Sequence, residues 1–80
     1  MIEINWEEFK LHKQAKFLKD NDKDNFDILI DFLRSYYKIT SVNEIFDTIS
    51  QDEVGKLMLQ KRELTDIEPF EKYLYKDIKF

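Results

Sequence analysis

Residues 25–38, NFDILIDFLRSYYK, decide how this 80-residue chain is read. Wound as a helix, they place Phe26, Leu29, Ile30, Leu33 and Tyr37 on one stripe and Ile28, Phe32 and Tyr36 on a second. Asp27, Asp31, Arg34, Ser35 and Lys38 are left for water. A helix that is apolar on two flanks has to be covered on both. The spacing therefore predicts a central buried helix over 26–38, with the rest of the chain wrapped around it.

The composition supports such an enclosure. Eighty residues make one domain, 1–80, and a chain of this length buries only about 60% of the surface it exposes when unfolded. The absence of cysteine excludes disulfides, thiolate metal sites and a cysteine nucleophile together, so stability rests on packing. Seven Phe, four Tyr and one Trp supply that packing, each ring burying about 150–250 Å². One Gly and one Pro are too few for a set of hairpin turns. The expected class is all-α: a small single-domain bundle of about five short helices.

On the N-terminal side of the central helix, Asn5 is a good N-cap, with Glu8 at the capping-box position and Ile4 and Phe9 placed as a hydrophobic staple. The first helix is expected to run to about Lys19, with Trp6, Phe9 and Phe17 on one flank and Leu11, Ala15 and Leu18 on the other. Residues 1–4 and 77–80 alternate apolar and polar, which offers a short pairing of the two ends. On the C-terminal side, Ser41 with Glu44 opens a third helix carrying Val42, Ile45, Phe46 and Ile49 on one face. Ser50 with Glu53 repeats the device and predicts a helix-turn-helix corner over 41–64. The fourth helix, from Gln51 to about Leu64, then turns Val54, Leu57, Met58 and Leu64 inward and tolerates Gly55 at about 1 kcal/mol relative to alanine. Pro69 fits the first turn of a last helix bearing Phe70, Tyr73, Leu74 and Ile78.

Chemistry-bearing motifs are sparse. Asp20, Asp22 and Asp24 are spaced like the start of a calcium loop, with Asp31 at the place of the bidentate acid. Asn25 stands where that loop needs glycine, and the helical period already begins at Phe26. The expected role of 20–25 is a turn that caps the central helix, with calcium a weak candidate and no cofactor or other metal implied. His12, the one histidine, stands among Lys10, Lys13 and Lys16 and is expected to be exposed, with no carboxylate or nucleophile to work with it. Asp27/Asp31 and Glu68/Glu71 have the spacing to share helix faces, as exposed helices routinely do. With no Gly-rich phosphate loop and no nucleophile elbow, the expectation is a protein that is not an enzyme.

The run 26–64 is similar to the helical core-binding domain of tyrosine recombinases, through Phe32-Leu33, Ile39-Thr40-Ser41-Val42 and Ser50-Gln51-Asp52-Glu53-Val54. The likeness covers about half the chain and carries no residue role across.

Seventeen acidic residues against thirteen basic ones give a net charge of -4 and a pI near 4.9, the reverse of the basic balance that phosphate binding favours. No apolar run is long enough to span a membrane, and MIEINWEEF lacks the order of a signal peptide, so the expected location is cytoplasmic. Heavy use of Lys, Ile, Asn, Asp, Phe and Tyr with a single Ala is what an AT-rich genome writes, such as that of a low-GC bacterium or its phage. The aromatic share exceeds what one small core hides, and Tyr and Trp are favoured at interfaces. The expected function is a small acidic protein-protein interaction module, an accessory, adaptor or inhibitor of phage or mobile-element type, docking on a larger protein that itself handles nucleic acid. Its candidate residues are Trp6, Tyr36, Tyr37, Glu53, Tyr73, Tyr75 and Phe80. The alternative is a helical nucleic-acid-binding domain using the corner and the lysine row, through Lys10, Lys13, Lys16, Lys56, Lys61 and Arg62. A third is a self-associating helical protein, a homodimer through Tyr75 and Phe80.

Overall fold

One apolar flank of the central helix, Phe26, Leu29, Ile30 and Leu33, is buried; on the other, Phe32 is buried, Ile28 partly so, and Tyr36 is half exposed. A computed structural model of the protein, which describes residues 2–12 and 22–75, places five α-helices among them: α1 Trp6–Leu11, α2 Asp22–Ser35, α3 Val42–Gln51, α4 Glu53–Lys61 and α5 Ile67–Tyr75. Phe26, Leu29, Ile30, Phe32 and Leu33 of α2 are buried. Packed around them are α3 and α4, the Phe9 ring of α1 at 5.6 Å from Phe32, and the Tyr73 ring of α5 at 5.4 Å from Phe26. The chain is an all-α bundle. No helix among the described residues is long and apolar enough to cross a membrane.

The helix ends differ from the expected ones for local reasons. The described part of α2 opens at Asp22, ahead of the Phe26 at which the apolar period begins. It stops at Ser35, earlier than expected, because the chain takes a left-handed turn at Lys38 (φ 60°) and returns the Ile39 N–H to the Leu33 carbonyl at 3.2 Å, burying Ile39. α1 ends at Leu11, with His12 extended, rather than near Lys19; Leu11 is 79% exposed and not inward. Phe17, Ala15 and Leu18 lie outside the described residues, as do 77–80 and hence any pairing of the two ends. Residues 2–5 form an irregular arm, with no strand among the described residues.

Ser41 caps α3 as expected, its Oγ accepting the Glu44 N–H at 3.4 Å. Ser50 does not open α4. It stays inside α3 and donates to the Asp47 carbonyl, while Asp52 alone joins the two helices. Asp52 donates its N–H to the Ile49 carbonyl at 3.2 Å and accepts Lys56 N–H at 2.7 Å, closing one helix and opening the next. That later start turns Gly55, Met58 and Leu59 inward and leaves Leu57 55% exposed, against expectation. α4 stops in a Schellman motif. Glu63 is left-handed (φ 58°), and Leu64 N–H bonds the Leu59 carbonyl at 2.9 Å with both side chains buried. Pro69 sits in the first turn of α5, and Phe70 is buried at 5.2 Å from Phe46.

Candidate docking surface

The early end of α2 sets what Tyr37 does. Released from the helix, Tyr37 lies edge-on to Phe32 at 5.4 Å, and its hydroxyl reaches the N-terminal arm. It accepts the Asn5 N–H at 2.9 Å and donates to the Glu3 carbonyl at 3.1 Å. Asn5 meanwhile caps α1 through its side-chain oxygen, which takes the N–H groups of Glu7 (3.1 Å) and Glu8 (3.2 Å). The capping box is thus half made: the Asn5 N–H goes to a tyrosine 32 residues away and not to Glu8. Ile4 and Phe9 are both buried, consistent with the expected staple.

Trp6 makes the second tie. Its ring packs edge-on to Phe9 at 5.3 Å, and its Nε1–H donates to Asp52 Oδ1 at 3.2 Å. The other carboxylate oxygen of Asp52 accepts the Gly55 N–H at 2.9 Å, so one side chain caps α4 and holds α1 to the corner. Asp52→Ala is expected to cost about 1–2 kcal/mol and to shift the emission of Trp6, the one tryptophan. Asp52→Asn, which keeps one acceptor oxygen, is expected to recover part of the loss. Unchanged emission in the alanine variant would contradict the Trp6–Asp52 bond.

These ties lay the arm beside the α3–α4 corner and leave a groove of about 270 Å³ between them. Ile2, Glu3 and Ile4 line one wall; Thr48, Gln51, Asp52 and Glu53 line the other. A groove of that size falls below the roughly 300–1,000 Å³ of small-molecule pockets and suits a side chain better than a cofactor. Its charge is one-sided. Residues 2–9 and 41–55 carry seven carboxylates (Glu3, Glu7, Glu8, Glu44, Asp47, Asp52, Glu53) and no lysine or arginine, leaving ten acidic and thirteen basic residues for the rest of the chain. Glu44 lies one and two turns before Thr48 and Gln51 on α3, so it extends the acidic face along that helix.

No protein-family model, curated protein or solved structure matches this chain. The likeness to recombinase core-binding domains is confined to three short segments.

Of the expected protein-binding residues, Trp6, Tyr37 and Glu53 gather around this groove, the first two as its fasteners. Tyr36 is half exposed nearby, stacked on Phe32 at 4.9 Å. Tyr73 lies away from them, toward the opposite end of α2, where it packs on Phe26 and bonds the Asp27 carboxylate, and Tyr75 is exposed at the end of α5. The candidates do not form one surface. Phe80, Lys13 and Lys16 are outside the described residues.

The cations proposed for nucleic acid are dispersed among the described residues. Lys10 is paired with Glu7 at 3.7 Å on α1, and Lys56 and Lys61 are exposed on α4. Arg62 is turned onto the core. Its guanidinium stands 4.6 Å from the centre of the Phe26 ring and donates to the Met58 carbonyl at 2.9 Å, so it belongs to the packing and not to a free basic face. His12 also corrects the expectation. It is largely covered, with Nε2 2.9 Å from Asp31 Oδ2 and its ring 5.2 Å from Phe32, fastening the end of α1 to α2. Ser35, one turn on from Asp31, spends its hydroxyl on the Asp31 carbonyl at 2.7 Å. Asp22 and Asp24 have helical backbone, which removes the loop geometry the calcium candidate needs, and Asp20 lies outside the described residues.

Proposed function

We propose that the protein is a non-catalytic acidic interaction module that docks by its groove face on a basic surface of a larger protein, as an accessory or inhibitor of one that handles nucleic acid. The observation that carries this reading is the segregation of charge: seven carboxylates with no lysine or arginine in the two segments that build the groove and its surroundings, in a chain whose remainder is net basic. Charge arranged in this way steers encounter and selects partners more than it adds affinity, and it rejects a like-charged surface at a cost of several kcal/mol. Ile2 and Ile4 beside the carboxylates provide apolar contact for the stem of a lysine or arginine whose head meets Glu3 and Glu53.

The test is affinity capture from a low-GC bacterial lysate, comparing the wild type with Glu3→Lys/Glu53→Lys and with the control Lys56→Glu/Lys61→Glu. The reading expects a stoichiometric partner whose affinity falls with salt, drops about tenfold or more on reversing Glu3 and Glu53, and survives the control. It also expects nucleic acid to compete for that partner. Capture indifferent to Glu3 and Glu53 would count against the groove face.

A further inference from the structure

The arm that forms one wall of the groove is fastened at very few points. Among the described residues no backbone-to-backbone hydrogen bond joins residues 2–4 to another segment. Among the described residues the polar ties of the arm to the body are the two at the Tyr37 hydroxyl, to Glu3 and to Asn5. Its apolar ties are Ile4, 8% exposed, and the partly buried Ile2. Asn5 itself is anchored from the other side, because its carbonyl accepts the Phe9 N–H at 3.0 Å and its side chain caps α1.

We propose that residues 2–5 are a latch with the Tyr37 hydroxyl as its catch and Asn5 as its hinge. The arm opens as a local unit while the helices stay folded. A segment held by one tyrosine hydroxyl and two aliphatic side chains opens more readily than the core, since local opening requires only those contacts to break. When the arm leaves, Glu3 goes with it, the groove loses a wall, and the buried Thr48 of α3 is uncovered. The closed arm is then the docking-competent state. This second half, the control of docking, rests on the reading of the groove given above; the first half, local opening, does not.

Hydrogen exchange of the wild-type protein tests the first half. The Asn5 amide is the reporter, because its proton sits in one of the two ties. It is expected to exchange at least about tenfold faster than the Leu33 amide of α2, with little dependence on dilute denaturant. Tyr37→Phe removes both ties and is expected to speed Asn5 by about another tenfold while leaving the denaturant dependence of Leu33 unaltered. Asn5 exchanging at the rate and with the denaturant dependence of Leu33 in the wild type would overturn the latch, whatever the variant does. For the second half the probe is a labelled hexa-arginine peptide at low salt. Tyr37→Phe is expected to weaken its binding as much as Glu3→Gln does. Equal binding by wild type and Tyr37→Phe, with local opening established, overturns the coupling to docking. No binding by the wild type overturns the docking reading and the coupling together, and leaves the exchange result to decide the latch.

Discussion

Phe32→Ala is expected to cost about 3–5 kcal/mol, the range for deleting a buried aromatic ring, and so to leave a domain of this size with little or no stability. Phe32 is 1% exposed and meets four other rings: Phe9 at 5.6 Å, His12 at 5.2 Å, Tyr36 at 4.9 Å and Tyr37 at 5.4 Å. The cost should sit toward the upper end, because the cavity cannot collapse freely. Tyr37 is held to Glu3 and Asn5 by its hydroxyl, and His12 is held to Asp31, so neither can swing in without giving up a bond. Thermal unfolding followed by far-UV circular dichroism checks this, with a fall in Tm of about 12 °C or more expected. Phe32→Leu, which keeps most of the volume, should lose much less. A modest shift in the alanine variant would mean that α1 is not seated on α2.

That Phe32 lies inside is legible in the spacing of residues 25–38, because a side chain's face follows from helix period alone. Caps with uncontested local partners are legible for the same reason: Asn5 and Ser41 each stand three residues before a glutamate and just ahead of an apolar run. Where two residues compete, local rules choose wrongly. Ser50 with Glu53 makes the better box, yet Asp52 takes the cap, since its second oxygen also receives the Trp6 indole from 46 residues away. The same long-range choice gives Asn5 N–H to Tyr37, and the later start of α4 turns Leu59 in and Leu57 out.

The candidate surface is less legible than the fold. Trp6, Tyr37 and Glu53 are readable as aromatic or acidic candidates, but Ile2, Glu3, Thr48, Gln51 and Asp52 have no motif. They come together because Lys38 takes a left-handed turn that frees Tyr37 from the helix, and a non-glycine residue in that conformation leaves no mark in the sequence. Asp31 and His12, 19 residues apart, are invisible as a pair on the same ground. The signal that does exist is negative. Residues 2–9 and 41–55 lack lysine and arginine in a chain with thirteen of them, and two such segments gain meaning only when folding sets them side by side.

Gly55 is the position where propensity and packing give opposite signs. In an exposed helix, glycine to alanine stabilises by about 1 kcal/mol, and a reading of α4 alone would predict that gain. A Cβ at Gly55 would stand 2.5 Å from the Ile49 carbonyl oxygen and 2.9 Å from Ile49 Cγ2. Neither atom can yield. The Ile49 carbonyl accepts the Asp52 N–H at 3.2 Å, and its side chain is fully buried. The methyl therefore forces α4 away from α3 across a junction one residue long. Because Asp52 bridges Gly55 N–H and the Trp6 indole, that shift strains both bonds at once. Gly55→Ala is expected to destabilise by about 1–3 kcal/mol and to change Trp6 emission in the folded state. Chemical denaturation monitored at Trp6 reads both effects in one experiment. A neutral or stabilised Gly55→Ala would show that α3 and α4 do not approach at this point, and the groove that their junction helps to form would lose its second wall.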